Sequence, residues 1–177
     1  EAGLSPMTVM LKRNLTEMAK HIIYNAEIVN EGKRTQGYVV IEGELISRVG
    51  EGQPSQCELD ECAECTDAQG MLLLPGAIDD QVHFREPGLT HKADIATESR
   101  TAAAGGVTSY MEMPNTVPQT TTLELLDEKF RLGAEKSRVN YSFFFGATNN
   151  NVDLLPQLDK ERVCGVKVFM GSSTGNM

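Results

Sequence analysis

PGAIDDQVHFREPG, residues 75–88, joins the end of an apolar segment to a dense cluster of polar and charged side chains. Three leucines precede Pro75, and an apolar run of this kind predicts a buried strand. The members of the cluster are Asp79, Asp80, Gln81, His83, Arg85 and Glu86. A buried strand that ends in such side chains is typical of a barrel enzyme, whose site lies at the C-terminal ends of its strands.

The spacing of the cluster places four of its members on one face of the strand. Every second residue of a strand shares a face, because side chains alternate between the two sides. The residues on one face are Asp79, Gln81, His83 and Arg85, and Asp80 lies on the other. An imidazole, an amide and a guanidinium that converge on one point suit a metal ion together with an anionic ligand.

Length and composition narrow the class of protein. The chain has 177 residues, a net charge of −9 and 40% hydrophobic residues, enough for one full domain or part of a larger one. The acidic balance argues against nucleic-acid binding, which needs a basic patch. No run reaches about 18 apolar residues, so no membrane span is predicted. Residues 1–19 do not match a signal peptide, so the cytoplasm is the default location. The same residues are expected to form an extension with little order.

Four cysteines are present, and three of them lie in the segment CELDECAEC. They are Cys57, Cys62, Cys65 and Cys164. A structural zinc site needs about four ligands, and no second C-x-x-C or pair of histidines follows. Zinc and a disulfide are therefore the alternatives, and reduced thiols are the preferred interpretation.

Residues 20–70 predict a small β domain. HIIYNAEIVN, GYVVIEGELISRVG and a segment around 62–68 are rich in Ile, Val and Tyr, with Gly, Asn and Glu at the turns. EGE at 42–44 is a candidate tight turn, and the region shows no helical period.

Residues 71–177 predict strands that alternate with helices. The strand segments are MLLLPGAID, VTSYMEM, VNYSFFFGAT and GVKVFM, and the helix segments are ADIATESRTAAAGG, TTLELLDEKFRLGAEK and NVDLLPQLDKE. Their repeat of about thirty residues is that of a βα unit. Since a (β/α)8 barrel needs about 250 residues, this region supplies four of its eight units. The alternative is a complete small α/β sheet domain.

Three motifs, in order along the chain, resemble those of the cyclic amidohydrolases, and those of dihydroorotase most of all. HFREPG at 83–88 resembles the end of the family's D-x-H-x-H-x-R strand and its E-P-G turn. MEMPNT at 111–116 resembles the second strand-end motif, and GVKVFMGSS at 165–173 resembles the strand of the metal-bridging lysine. The resemblance runs from about Lys20 to Met177. It implies an α/β fold, the first half of a metal-dependent (β/α)8 TIM barrel, preceded by a small β-sandwich segment.

The resemblance also implies a centre of two divalent metal ions, usually zinc. His83 matches a metal-ligating histidine, and Lys167 matches the lysine that reacts with carbon dioxide to form a metal-bridging carbamate. Asp79 matches the motif aspartate, for which a supporting role behind the ligands is expected. Gln81 departs from the family, because a histidine usually stands there. Gln81 either ligates a metal through its amide oxygen or marks a weakened or lost metal position.

Lys167 is unusual even without the resemblance, because it lies inside an apolar strand. A buried ammonium group is costly unless it is neutralised or paired. The resemblance implies that the ammonium becomes an anionic carbamate that bridges two metals, a reaction that desolvation favours by lowering the pKa of the amine. The alternative is a lysine at the strand edge whose ammonium group reaches solvent.

Arg85 and Asn115 are the candidates for binding a carboxylate. A guanidinium presents a planar fork of donors that matches a carboxylate, and Asn115 follows Pro114 at the mouth of the second strand, where its amide can donate. The resemblance assigns this pair to the free carboxylate of dihydroorotate. Allantoinase and hydantoinase relatives usually lack either the arginine or the M-P-N-T motif. The alternative for Arg85 is a rim salt bridge with Glu86.

The reaction implied is the reversible hydrolysis of dihydroorotate to N-carbamoyl-aspartate, a step of de novo pyrimidine biosynthesis. The remaining metal histidines and the catalytic aspartate of the family come from later strands, so that this chain alone is expected to be inactive. Two alternatives remain. One is a non-catalytic dihydroorotase-like assembly partner, which Gln81 favours, and the other is a cyclic amidohydrolase of the allantoinase or hydantoinase type. The expected partners are the small-molecule substrate and, as an option, a second copy in a homodimer.

Overall fold

A computed structural model describes residues 19–171. Residues 1–18 of the expected extension and residues 172–177, which include the end of the lysine motif, lie outside the described residues. The chain divides into two compact units, Glu1–Pro75 and Gly76–Met177.

The first unit contains one mixed sheet and a short helix. Its described elements are β1 (Lys20–Asn30), β2 (Lys33–Glu42), β3 (Leu45–Glu51), α1 (Gln56–Glu61), β4 (Glu64–Asp67) and β5 (Leu72–Leu73). The strand order is β3-β2-β1-β4, with antiparallel pairing among the first three strands, while β4 and β5 pair parallel to β1. The predicted turn at 42–44 is confirmed, and Gly43 adopts a φ of 63° there, a conformation that glycine accepts without a steric penalty.

Helix α1 was not predicted, because six residues are too few to show a helical period. A local signal was present all the same. The hydroxyl of Ser55 accepts from the backbone N–H of Glu58, and the Glu58 carboxylate accepts from the backbone N–H of Ser55 at 2.9 Å. This reciprocal arrangement is a capping box, which the sequence S-Q-C-E carries. Leu59 of the helix then packs against the core of the unit, formed by Ile22, Tyr38 and Val40.

The expectation of reduced thiols is wrong for one pair of cysteines. Cys62, at the C-terminal cap of α1, forms a disulfide with Cys65 of β4, and their Cα atoms lie 6.4 Å apart. That separation lies in the range usual for a disulfide. The two cysteines are this close because the chain turns directly from the helix into the strand. Cys57 and Cys164 are free thiols.

The second unit is a parallel sheet with helices between its strands. Its described elements are β6 (Ala77–Val82), α2 (Ile95–Ala104), β7 (Val107–Glu112), α3 (Leu123–Lys136), β8 (Asn140–Gly146), a 3₁₀ helix (Val152–Gln157) and β9 (Gly165–Lys167). The strands pair in parallel in the order β6-β7-β8-β9. This is the order in which successive βα units enter a barrel, so the predicted alternation is confirmed.

The first predicted barrel strand is divided in two. The segment MLLLPGAID predicts one strand, but Leu72 and Leu73 form β5, which pairs with Glu27 and Ile28 of β1 in the first unit. Pro75 has no N–H to donate and interrupts the ladder, so that β6 begins only at Ala77. The units accordingly divide after Pro75, five residues later than the boundary expected at 70.

The two long helices begin at the predicted polar residues. Asp94 caps α2 by accepting from the backbone N–H of Thr97 at 2.8 Å, and Thr122 caps α3 by accepting from that of Leu125 at 3.3 Å. The third predicted helix is a 3₁₀ helix, and Pro156 lies in its last turn.

An aromatic core fixes these helices on the sheet. Its buried members are Phe84, Ile95, Tyr110, Leu126, Leu132, Phe143 and Phe145. Phe84 stacks at a tilt on Tyr110 with the ring centroids 4.4 Å apart, and Phe130 meets Phe143 edge-on at 5.1 Å. Among residues 19–171, no helix has the length and apolar character needed to cross a membrane.

Candidate active site

The carboxyl ends of the parallel strands bring the predicted residues to one edge of the sheet. His83 directly follows β6, Asn115 lies in the loop after β7, and Lys167 is the last residue of β9. The ends of β6 and β7 are level, because Val82 is in register with Glu112. The structure therefore places these three candidate residues at the strand ends, where parallel α/β folds carry their sites.

His83 and Asn115 are in direct contact. The Nδ1 atom of His83 lies 2.9 Å from Oδ1 of Asn115, and the tautomer that satisfies this hydrogen bond donates from Nδ1–H to the amide oxygen. That tautomer leaves the Nε2 lone pair of His83 available, as in a histidine that ligates a metal. It also leaves the two N–H donors of the Asn115 amide for another partner.

The surroundings of His83 favour the neutral imidazole. Partial desolvation of the ring has the largest effect and lowers the pKa of His83, while the hydrogen bond with Asn115 raises it. Three nearby cations lower the pKa further: Arg85, Lys167 and Lys129. Lys129 is paired with Glu112, whereas Arg85 and Lys167 have no carboxylate partner within residues 19–171 and are available to an anion.

Arg85 combines an unusual backbone conformation with an uncommitted side chain. Its φ of 67° lies in the left-handed region, which is costly for a residue with a Cβ and is concentrated at functional sites. Within residues 19–171 its guanidinium forms no ion pair. The alternative of a rim salt bridge with Glu86 is wrong, because buried Glu86 pairs with Lys136 and accepts from the backbone N–H of Ile95 at 3.1 Å.

Gln81 and Asp79 lie at the exposed end of β6. The backbone N–H of Gln81 donates to Oδ1 of Asp79 at 3.1 Å. Asp79 thus holds the backbone of the strand end and forms no hydrogen bond or ion pair with another candidate side chain in the described residues. The amide group of Gln81 has no hydrogen bond within the same residues, so its oxygen is available to a ligand.

Lys167 is partly buried, and its ammonium group has no carboxylate partner in the part of the chain that the structure describes. Its backbone carbonyl accepts from the N–H of Ala147 at 2.9 Å, which fixes the end of β9 against β8. The Nζ atom lies 5.3 Å from the centroid of the Phe169 ring. An amine so placed can react with carbon dioxide without first breaking an ion pair.

The available donor atoms could supply only part of a metal centre. Even that part requires that Lys167 has lost its positive charge, because an ammonium group repels a metal ion. The neutral donors are Nε2 of His83 and the amide oxygen of Gln81, fewer than the three or four protein ligands that zinc takes. Among residues 19–171, no group of three or more His, Cys, Asp or Glu side chains could hold a metal ion. A carbamate on Lys167 replaces one of the repelling cations with an anionic oxygen donor, which makes the site compatible with a dication.

Sequence reasoning missed a buried ion pair next to this site. The side chains of Glu112 and Lys129 are 0% and 1% exposed, and Nζ of Lys129 lies 2.7 Å from Oε2 of Glu112. Two signals were present in the sequence. Glu112 stands between two methionines at the end of β7, and Lys129 falls on the apolar face of α3, between Leu126 and Leu132. Because a buried charge needs a partner of opposite sign, a buried glutamate and a buried lysine are expected to form an ion pair.

Comparison with known proteins agrees with this geometry. A family model described as Dihydro-orotase-like matches residues 70–151, which include the first two motifs. An allantoinase from Deinococcus radiodurans is 35% identical over 148 residues, 82% of this chain and 32% of that protein. A dihydroorotase from Methanosarcina acetivorans is 34% identical over 156 residues, 88% of this chain and 32% of that protein. These matches support a cyclic amidohydrolase, similar to dihydroorotases and allantoinases alike.

Solved structures of cyclic amidohydrolases share the fold. An L-hydantoinase (dihydropyrimidinase) from Arthrobacter aurescens superposes with a TM-score of 0.81 at 25% identity, over 89% of this chain and 34% of that chain. A dihydropyrimidinase from Brevibacillus agri gives a TM-score of 0.73 at 26% identity, over 89% and 34%. The predicted fold class is therefore confirmed. The chain spans about a third of the length of the curated relatives it matches, and these include both dihydroorotases and allantoinases.

Proposed function

We propose that the full-length protein is a cytoplasmic dihydroorotase, which reversibly hydrolyses the cyclic amide of dihydroorotate to N-carbamoyl-aspartate in de novo pyrimidine biosynthesis. The observation that carries the proposal is that Arg85, which has no carboxylate partner within residues 19–171, follows two residues after the His83 that hydrogen-bonds to buried Asn115. Arg85 and Asn115 stand in motifs that resemble those of dihydroorotase. Other cyclic amidohydrolases share the fold, so the substrate must be distinguished by these side chains.

Dihydroorotate differs from allantoin and hydantoin in carrying a carboxylate. Arg85 can bind that carboxylate with two parallel hydrogen bonds. Asn115 can donate to it as well, because its Oδ1 is engaged by His83 and its amide N–H groups are not. Arg85 and Lys167, which have no carboxylate partner within residues 19–171, add positive charge that draws in an anionic substrate. An uncharged ring lacks the carboxylate and cannot form this charge-assisted pair.

Part of a centre for two divalent ions, proposed as Zn²⁺, would be held by three residues of this chain. His83 would bind through Nε2, Lys167 as a carbamate formed with carbon dioxide, and Gln81 through its amide oxygen. When bound, such ions lower the pKa of a water molecule and polarise a carbonyl group. The chain's own residues keep His83 neutral, orient the substrate carboxylate and place the Lys167 amine where carbamylation relieves the excess of positive charge.

Two other functions are each favoured by one observation. The 35% identity to an allantoinase favours an uncharged substrate, and Gln81, in a position where dihydroorotases usually have histidine, favours a non-catalytic assembly partner. Steady-state assays of the full-length protein with dihydroorotate, allantoin and hydantoin, together with elemental metal analysis, separate the three. We expect kcat/KM for dihydroorotate to exceed that for the other two by about a hundredfold or more. A preference for allantoin would replace the proposal, and a metal-poor protein that turns over none of the three would favour the assembly partner.

A further inference from the structure

Asn151 is the buried member of a run of three asparagines that follows β8. It is 6% exposed, whereas Asn149 and Asn150 are exposed. Asn151 directly precedes the 3₁₀ helix, yet its side chain forms no hydrogen bond that caps this helix. A buried amide must be satisfied elsewhere, because an unpaired polar group is costly inside a protein.

The side chain of Asn151 bonds instead to backbone groups at the carboxyl end of the sheet. Its Nδ2 group donates to the carbonyl oxygens of Gly146 at 2.8 Å and of Thr121 at 2.9 Å, and its Oδ1 atom accepts from the N–H of Thr148 at 2.8 Å. Both N–H donors of the amide are thus engaged. Gly146 is the last residue of β8, while Thr121 and Thr148 lie in the loops after β7 and β8. One side chain therefore joins the end of a strand to two loops.

The loop after β7 is the one that carries Asn115. The N–H of Thr120 donates to the carbonyl oxygen of Pro114 at 2.9 Å, which closes the loop around Asn115. The carbonyl oxygen of Thr120 in turn accepts from the N–H of Gly146 at 2.8 Å. Gly146 therefore contacts this loop directly through its N–H and, by way of Asn151, through its carbonyl group.

The peptide group between Gly146 and Ala147 connects Asn151 with Lys167. Its carbonyl oxygen accepts from Asn151, and its N–H donates to the carbonyl oxygen of Lys167 at 2.9 Å. Because a peptide group is planar, a bond that fixes the carbonyl oxygen also fixes the direction of the N–H. Asn151 thus orients the donor that holds Lys167, the last residue of β9.

We propose that Asn151 is a positioning residue, which sets the end of β9 and with it the place of the Lys167 amine relative to Asn115. The inference rests on the function proposed above, in which Lys167 carries the bridging carbamate and Asn115 binds the substrate carboxylate. Asn151 acts through backbone groups alone. Small displacements of the groups in an active site lower activity steeply, so a side chain that fixes a strand end affects the reaction without touching the substrate.

The test compares two substitutions of Asn151 with one substitution of its neighbour, all in the full-length protein. Asn151→Ala removes the three hydrogen bonds. Asn151→Asp keeps the size of the side chain and the acceptor for Thr148, and removes only the two N–H donors. Asn150→Ala is the matched control, because the side chain of Asn150 is exposed and has no hydrogen bond within residues 19–171.

Hydrogen–deuterium exchange measures the positioning without any substrate. We expect the N–H of Ala147 to exchange faster by about tenfold or more in both Asn151 variants, because its bond to Lys167 opens more often. The amides of β7 report the stability of the whole unit and should accelerate less. The control should exchange as the wild type does. Equal acceleration of Ala147 and β7 would show that Asn151 only stabilises the unit, which would overturn the proposal.

Metal content and steady-state kinetics on the same preparations measure the consequence for the site. We expect bound metal and kcat to fall by about tenfold or more in both Asn151 variants and to stay at the wild-type level in Asn150→Ala. Where Asn151→Ala does not fold, Asn151→Asp carries the test. A folded Asn151→Asp protein with the metal content and kcat of the wild type would contradict the positioning role.

Failure of the proposed function would be visible separately. A wild-type protein that turns over allantoin instead of dihydroorotate removes the dihydroorotase assignment, and kcat is then compared with allantoin. A wild-type protein without bound metal removes the bridging role of Lys167, and the exchange of Ala147 alone decides whether Asn151 fixes the end of β9. Unchanged exchange of Ala147 in Asn151→Asp overturns the positioning role whatever the substrate is.

Discussion

The charges at the strand-end face and the charges buried beneath it are arranged in opposite ways. Arg85 and Lys167 have no carboxylate partner within residues 19–171, whereas Glu112 and Lys129 form a closed pair with almost no exposure. A buried charge must be paired inside the fold, because desolvation without a partner is costly. A charge left without a partner in a partly desolvated site is available to a ligand. In this chain, the buried charges are paired within the fold, and the unpaired charges at the strand ends are the ones proposed to bind a ligand.

Lys167→Ala in the full-length protein should have the largest effect on the strand-end face. Loss of the bridging anion should remove bound metal and lower kcat for dihydroorotate together, by at least about a hundredfold. Elemental analysis and the dihydroorotate assay on the same sample check both results. Lys136→Met is the control, since that lysine is paired with Glu86 and should leave the metal in place. Normal metal content in Lys167→Ala would show that the lysine is not a bridge.

Gln81→His tests the residue at which this chain departs from the motif of the family, where a histidine is usual. An enzyme adapted to glutamine should gain no metal from the histidine, and its kcat/KM should stay equal or fall by up to about tenfold, because the new ring alters a fitted ligand geometry. The measurement is metal content and activity on one preparation. An increase in bound metal would instead identify Gln81 as a decayed ligand and favour the non-catalytic assembly partner.

Asp94→Ala should have the smallest effect, on stability rather than activity. Loss of the cap of α2 should lower the free energy of unfolding by about 1 kcal/mol at neutral pH. The hydrogen bond from the backbone N–H of Thr97 lowers the pKa of Asp94, so the stabilisation is present above the carboxyl group's unfolded pKa and is lost as the pH falls through the lower folded value. Urea titrations at neutral and strongly acidic pH should therefore show a difference from wild type that shrinks in acid. A difference of equal size at both pH values would exclude the cap as its source.

Elements with a local signal were predictable from the sequence. The caps Asp94 and Thr122 define the starts of α2 and α3, and the apolar runs define β7 and β8. The break between β5 and β6 was not predictable in this way, because it depends on the pairing of Leu72 and Leu73 with β1, far away in the sequence. The disulfide between Cys62 and Cys65 likewise depends on how α1 turns into β4.

The candidate site was predictable as a set of residues but not as a network of contacts. The motifs place His83 and Asn115 at neighbouring strand ends, as the structure has them. The hydrogen bond that joins them, and the pairing of Glu86 with Lys136 instead of Arg85, are set by side-chain packing that no spacing in the sequence specifies. The roles of Gln81 and Lys167 in metal binding stay predictions.

Arg85→Met in the full-length protein tests most directly whether the unpaired guanidinium binds the substrate carboxylate. Losing a charge-assisted pair in a desolvated site should lower kcat/KM for dihydroorotate by at least about thirtyfold, while metal content stays at the wild-type level. Arg100→Met, on the exposed surface of α2, is the matched control and should leave both unchanged. Near-normal turnover of dihydroorotate by a fully metallated Arg85→Met protein would contradict the assignment of Arg85 and, with it, the choice of dihydroorotate over the uncharged cyclic amides.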